Sequence, residues 1–97
     1  MTFNGCVQFE DVSVIFPELM VRFRGNDIHL SLTELRLLLI FLSDPYGCFR
    51  TEELVRRLGI NSRPQLNVLV NRIRVLLDQK YIHNRRGYGY AFAEEKN

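Results

Sequence analysis

The sequence predicts an α+β fold: four short N-terminal strands, three helices and a C-terminal β-hairpin. Three observations lead there. β-Branched alternation gives way abruptly to helical spacing at Ser31, capping signals stand ahead of two apolar stripes, and a glycine-containing arginine turn lies between two short aromatic runs near the C-terminus.

The strands come first. Val7-Gln8-Phe9 and Val12-Ser13-Val14-Ile15-Phe16 alternate in part, with Pro17 in the turn that follows. Met20–Phe23 and Ile28-His29-Leu30 flank Arg24-Gly25-Asn26-Asp27, where Gly25-Asn26 can supply the positive φ values of a tight hairpin turn.

The helices follow. Ser31-Leu32-Thr33-Glu34 has the form of a capping box, and Leu35, Leu38, Leu39 and Leu42 continue at helical spacing as far as Ser43. Asp44-Pro45-Tyr46-Gly47 ends this helix. A second begins near Thr51, favoured by Glu52 and Glu53 in its first turn, turns Leu54, Val55 and Leu58 inward, and stops at Gly59. A third is expected over about 63–78, with Asn61 or Ser62 as its cap and Pro64 in its first turn. Leu66, Val70, Ile73 and Leu77 form its apolar stripe, while Asn67, Asn71, Arg74 and Asp78 occupy another side. Tyr81-Ile82-His83 and Tyr90-Ala91-Phe92 then read as two strands around residues 84–89. The whole chain, 1–97, is expected to be one domain with a core over about 7–92 and a frayed tail over 93–97.

Charge is unevenly spread. Residues 1–49 hold three arginines against six acids, whereas residues 50–97 hold ten lysines and arginines against five acids. Such asymmetry points to a polyanionic partner. The third helix and the hairpin concentrate it. A helix that buries one side and shows amides and guanidinium groups on the other suits the major groove, where base edges present matching donors and acceptors. Arg85 and Arg86 at a hairpin tip suit a narrow groove of enhanced negative potential.

Other chemistries find little support. His29 and His83 lie far apart in strand patterns, and neither a catalytic triad order, a phosphate loop nor an H-E-x-x-H helix is present, so no enzyme is expected. Cys6 and Cys48 have no metal-ligand spacing and are expected to be reduced; no cofactor or metal is implied. The longest apolar run, residues 37–42, is too short to span a membrane, and a cytoplasmic location is expected.

The ordered blocks resemble the OmpR/PhoB-type winged-helix DNA-binding domains, the output modules of many bacterial response regulators. Residues 23–35, FRGNDIHLSLTEL, resemble the hairpin and first-helix entry of that family. Arg50-Thr51-Glu52-Glu53-Leu54 resembles its second-helix start, VLVNRIRVLL over 68–77 its recognition helix, and NRRGYGYAF over 84–92 its wing. The resemblance covers about residues 7–92 and implies a winged helix-turn-helix acting in transcription regulation. It implies Arg72 as a base-contacting arginine, Asn67, Asn71 and Arg74 at phosphates or base edges, Arg86 in the minor groove and Asn84 at the backbone. Arg63 and Arg85 complete the expected DNA-binding set, and Tyr90 and Phe92 are expected to pack. Partners implied are double-stranded DNA, a second copy on tandem sites, and RNA polymerase or another regulatory protein.

The sequence departs from that pattern at Leu69 and Val75, where polar or basic residues are common, and at Asn71, which replaces a usual arginine. The link between the second and third helices is also short, which weakens the case for a family-style polymerase contact. With no receiver-like segment ahead of these blocks, the chain reads as either an excised output domain or a free-standing regulator. The alternative reading is a protein-binding winged helix that uses an exposed strip of Leu69, Val75 and Leu76.

Overall fold

The computed structural model describes residues 5–94. Strands β1 (Gly5–Phe9), β2 (Val12–Phe16), β3 (Met20–Phe23) and β4 (Asn26–Ile28) form an antiparallel sheet in sequence order. Their register aligns Val7, Val14, Val21 and Ile28 in one apolar row across all four strands, with Phe9, Val12 and Phe23 in a parallel row. Period-two alternation puts both rows on the face that meets the helices.

The β3–β4 turn lies one residue earlier than expected. Phe23 pairs with Asn26, and the loop residues with positive φ are Arg24 (51°) and Gly25 (81°). Slipping the pairing by one residue would turn Ile28 out of its row. A non-glycine residue in the left-handed region needs support. Arg24 has it: its Nε binds Asp11 Oδ2 at 3.1 Å, its Nη2 binds Asp78 Oδ2 at 3.0 Å, and its N–H donates to the Asp11 carbonyl.

Helix α1 (Leu32–Ser43) begins with the expected capping box. The Ser31 hydroxyl accepts from the Glu34 N–H at 3.2 Å, and Glu34 Oε1 accepts from the Ser31 N–H at 2.8 Å. Helix α2 (Thr51–Leu58) ends on Gly59 in the left-handed conformation, φ 68°. Helix α3 (Arg63–Leu76) is capped by Ser62 and buries Leu66, Val70 and Ile73; Leu77, just past its end, is also buried. It stops two residues short of the expected end, and Asp78 instead accepts from the Lys80 N–H at 3.0 Å.

A second sheet was not legible in full. Strand β5 (Cys48–Arg50) lies between α1 and α2 and pairs with β7 (Gly89–Ala91), which also pairs with β6 (His83–Arg85), giving the order β5-β7-β6. The expected strand residues Tyr81 and Ile82 precede β6, and Phe92 follows β7, because all three are drawn into the core. Tyr81 and Phe92 stack with ring centroids 4.7 Å apart, and the Ile82 N–H donates to the Phe92 carbonyl at 2.8 Å. Phe92 also meets Phe9 and Phe41 at 5.9 Å. At Gly89 a Cβ would lie 1.9 Å from the Phe49 carbonyl oxygen, so only glycine lets β5 and β7 approach this closely. Ala93, expected to fray, is buried and donates its N–H to the Pro45 carbonyl at 2.9 Å, and residues 95–97 lie outside the described part.

Candidate nucleic-acid interface

Burial of Leu66, Val70 and Ile73 leaves the opposite ridge of α3 to solvent: Asn67, Val68, Asn71, Arg72 and Val75 are all exposed. The 3.6-residue period places Val68, Arg72 and Val75 at i, i+4 and i+7, one above another. Arg72 does not swing freely there. Its Nε lies 3.0 Å from Glu34 Oε2, while 59% of its side chain stays exposed. Glu34 itself is buried, and its other oxygen closes the α1 capping box. One carboxylate thus starts α1 and aims a guanidinium carried by α3.

The hairpin formed by β6 and β7 lies beside α3. Arg74 joins the two: its Nε donates to the Ile82 carbonyl at 2.8 Å, Nη1 to Asn71 Oδ1 at 3.3 Å, and Nη2 to Asn84 Oδ1 at 3.1 Å as well as to the Ile82 carbonyl. The Tyr90 hydroxyl, contributed by β7, donates to Asn67 Oδ1 on α3. Tyr90, read from the sequence as a packing residue, is therefore both buried and a tie between helix and hairpin.

The hairpin turn is Arg85-Arg86-Gly87-Tyr88, closed by the Tyr88 N–H to the Arg85 carbonyl at 2.8 Å, with Gly87 at φ 74°. Arg86 is exposed and, among the described residues, forms no ion pair. Between the turn and the start of α3 lies an open groove of about 230 Å³, lined by Thr51, Arg63, Asn84, Arg86 and Tyr88 among others. Arg63, at the first position of α3, pairs with Glu52. The Glu52 carboxyl is held below its usual range first by its own backbone N–H at the start of α2 and then by Arg63.

The structure therefore gathers Arg63, Asn67, Asn71, Arg72, Arg74, Asn84 and Arg86 along one helix and its adjoining hairpin. Arg85 differs: like Arg63 and Arg72 it is ion-paired, here with Glu94 at 3.2 Å, but its side chain is only 35% exposed against their 68% and 59%. Glu94, first, and then the Cys48 side chain raise the Arg85 pKa further. Glu34 and Val68 were missed in the sequence; Val68 is 66% exposed, and only its i−4 spacing from Arg72 signalled it. The strip of Leu69, Val75 and Leu76 does not form as expected. Val75 is 74% exposed, but Leu69 and Leu76 are half-buried, with Leu69 packed against the core. Among the described residues no group of three or more His, Cys, Asp or Glu could hold a metal ion, and no helix is long and apolar enough to cross a membrane.

The family model described as "Transcriptional regulatory protein, C terminal" matches residues 25–92. The chain belongs to this family. The transcriptional regulatory protein CseB of Streptomyces coelicolor is 34% identical over 92 residues, a match covering 90% of this chain and 39% of CseB. The chain thus spans about two fifths of that relative. Response regulator DrrB of Thermotoga maritima, an OmpR/PhoB homologue, superposes with a TM-score of 0.82 at 24% identity over 92% of this chain and 44% of DrrB. The DNA-binding domain of response regulator AdeR, solved in complex with an intercistronic region, gives a TM-score of 0.83 at 18% identity, covering 91% and 98% of the two chains. At these identities the structural likeness is one of fold. The fold is that of the OmpR/PhoB homologue DrrB, a winged helix in which α2 and α3 are the helix-turn-helix and the β6–β7 hairpin is the wing.

Proposed function

We propose that this transcriptional regulatory domain binds double-stranded DNA in a sequence-dependent way, with α3 in the major groove and the wing in the adjacent minor groove. The observation that supports it is the joining of α3 to the wing through Arg74 and Tyr90, which presents Arg72 on the helix ridge and Arg86 at the turn as parts of one exposed surface. The major groove admits a helix, and Arg72, held through Nε and 59% exposed, is assigned to a guanine edge. Arg86 suits the narrow groove. Arg63, Asn67, Asn71 and Asn84 border these two and are assigned to phosphates and base edges.

The intercistronic DNA bound by the AdeR domain fits this reading. Action inside the cytoplasm and a second copy on a tandem site belong to the same proposal. The surface offers groove-reading groups rather than a reaction centre, so the role is binding and not catalysis.

The test is a titration of a labelled random duplex at several salt concentrations. On a random duplex, where no base edge is matched, Arg63, Arg72 and Arg86 each at a phosphate give a log–log slope of about −2.7, near −0.9 per phosphate contact. No binding at low salt would end the DNA reading. Selection from a random duplex pool then yields the site, and a direct repeat about 10–11 base pairs apart reports two copies side by side.

A further inference from the structure

Arg74 was expected to touch DNA, but its hydrogen bonds point elsewhere. All are made within the protein, to the Ile82 carbonyl, Asn71 Oδ1 and Asn84 Oδ1. Ile82 has a φ of 61°, an uncommon and costly value for a β-branched residue, and its carbonyl accepts from Arg74. A guanidinium has donors and no acceptor. Both asparagines must therefore turn their oxygens to Arg74, which leaves their NH2 groups as the free ends of two exposed side chains.

This orientation has a consequence for recognition. An asparagine that reads adenine needs both ends of its amide, the oxygen for N6–H and the nitrogen for N7. With one lone pair of its oxygen taken and its plane set by Arg74, the amide presents its NH2 outward as a donor, and the acceptors found at every step of DNA are phosphate oxygens.

We infer that Arg74 is the positioning residue of the interface: it holds Asn71 and Asn84 as donors to backbone phosphates and leaves base reading on α3 to Arg72. The inference rests on the DNA reading above. The two asparagine contacts fix the domain's register without adding counterion release, because they are neutral.

The test uses the whole chain and duplexes from the random-pool selection, each also carrying single base-pair changes. Asn71→Ala lowers affinity about tenfold or more for every duplex alike, the worth of one hydrogen bond to a charged acceptor, and leaves the salt slope unchanged. Asn71→Asp and Asn84→Asp keep an oxygen for Arg74, so their melting temperatures hold, but each replaces the donor with an acceptor and weakens binding tenfold or more. Arg74→Lys lacks the three-way fork and weakens binding uniformly, again without changing the slope. In the Arg74→Lys background Asn71→Ala costs less than in the wild type, a coupling that a purely stabilising arginine would not produce.

The inference is overturned if Arg74→Lys binds like the wild type, if Arg74→Ala reduces the magnitude of the salt slope by about 0.9, or if Asn71→Ala relaxes preference at an adenine. A wild-type chain that ignores duplex DNA would overturn the DNA reading itself, and this inference with it. Binding with any of the first three results overturns the assignment of Arg74 alone.

Discussion

Replacing Glu34 with glutamine separates two tasks of one buried side chain. Its Oε1 receives the Ser31 N–H and its Oε2 pairs with Arg72 Nε at 3.0 Å. Glutamine is an accepted partner in a capping box, so the start of α1 survives. What disappears is the charge that aims Arg72. Arg72 is mostly exposed, so the pair contributes at the low end for charged hydrogen bonds, and relief of the buried carboxylate offsets part of the loss. Stability should fall by less than about 1 kcal/mol. Binding suffers differently. A guanidinium already held in place avoids an ordering cost of about 0.5–1.5 kcal/mol on meeting a base, and losing that advantage weakens the preferred duplex about 2- to 13-fold. Removing a negative charge meanwhile strengthens attraction to any duplex. The ratio of specific to non-specific affinity is therefore the sensitive quantity, measured by competition at fixed salt alongside urea unfolding. Glu34→Ala, which also loses the cap, should cost about 1 kcal/mol more in stability. If Glu34→Gln unfolds as expected but keeps the wild-type ratio within twofold, Glu34 does not aim Arg72 and the reasoning fails.

Other outcomes follow from the same geometry. Ile73→Ala removes a wholly buried side chain from the inner face of α3 and should cost about 2–5 kcal/mol in urea unfolding; a loss under 1 kcal/mol would contradict its burial. Gly89→Ala sets a methyl against the Phe49 carbonyl and should separate β5 from β7, seen as loss of amide protection at residues 48–50; retained protection would count against that close approach. Tyr81 should make the fold sensitive to alkali. Burial, and then its hydrogen bond to Glu10, raise the phenol above its ordinary value of 10.0, so its contribution is complete below pH 10 and is lost as pH rises towards the folded value. Tyr81→Phe should flatten that alkaline limb, and an unchanged limb would assign it to other groups.

Much of this was legible locally. The capping box at Ser31, the stop at Gly59 and the cap and proline at Ser62 and Pro64 are short-range signals, and α1, α2 and the start of α3 fall where they place them. The misses are long-range. Cys48-Phe49-Arg50 has nothing in its neighbours to mark a strand, because its partner is about forty residues away at Gly89–Ala91. Tyr81 and Phe92 have strand-like composition, but core stacking takes them out of the ladder. The candidate site divides in the same way. Helical spacing was enough to put Asn67 and Asn71 on an open side, and Arg72 beside them came from the family resemblance. It could not reveal that Arg74 reaches Ile82, that Arg85 reaches Glu94, or that Glu34 lies beneath Arg72, since each of these contacts depends on the assembled fold.

The central place of β7 has a bearing on synthesis. The chain leaves the ribosome from its N-terminus, so both helices of the reading unit emerge before the strand that seats them. Until residues 89–93 follow, β5 has no neighbour, Asn67 lacks Tyr90, and the Pro45 carbonyl waits for Ala93. A nascent or prematurely terminated product ending before Tyr90 therefore carries the whole of α3 but not the frame that presents it.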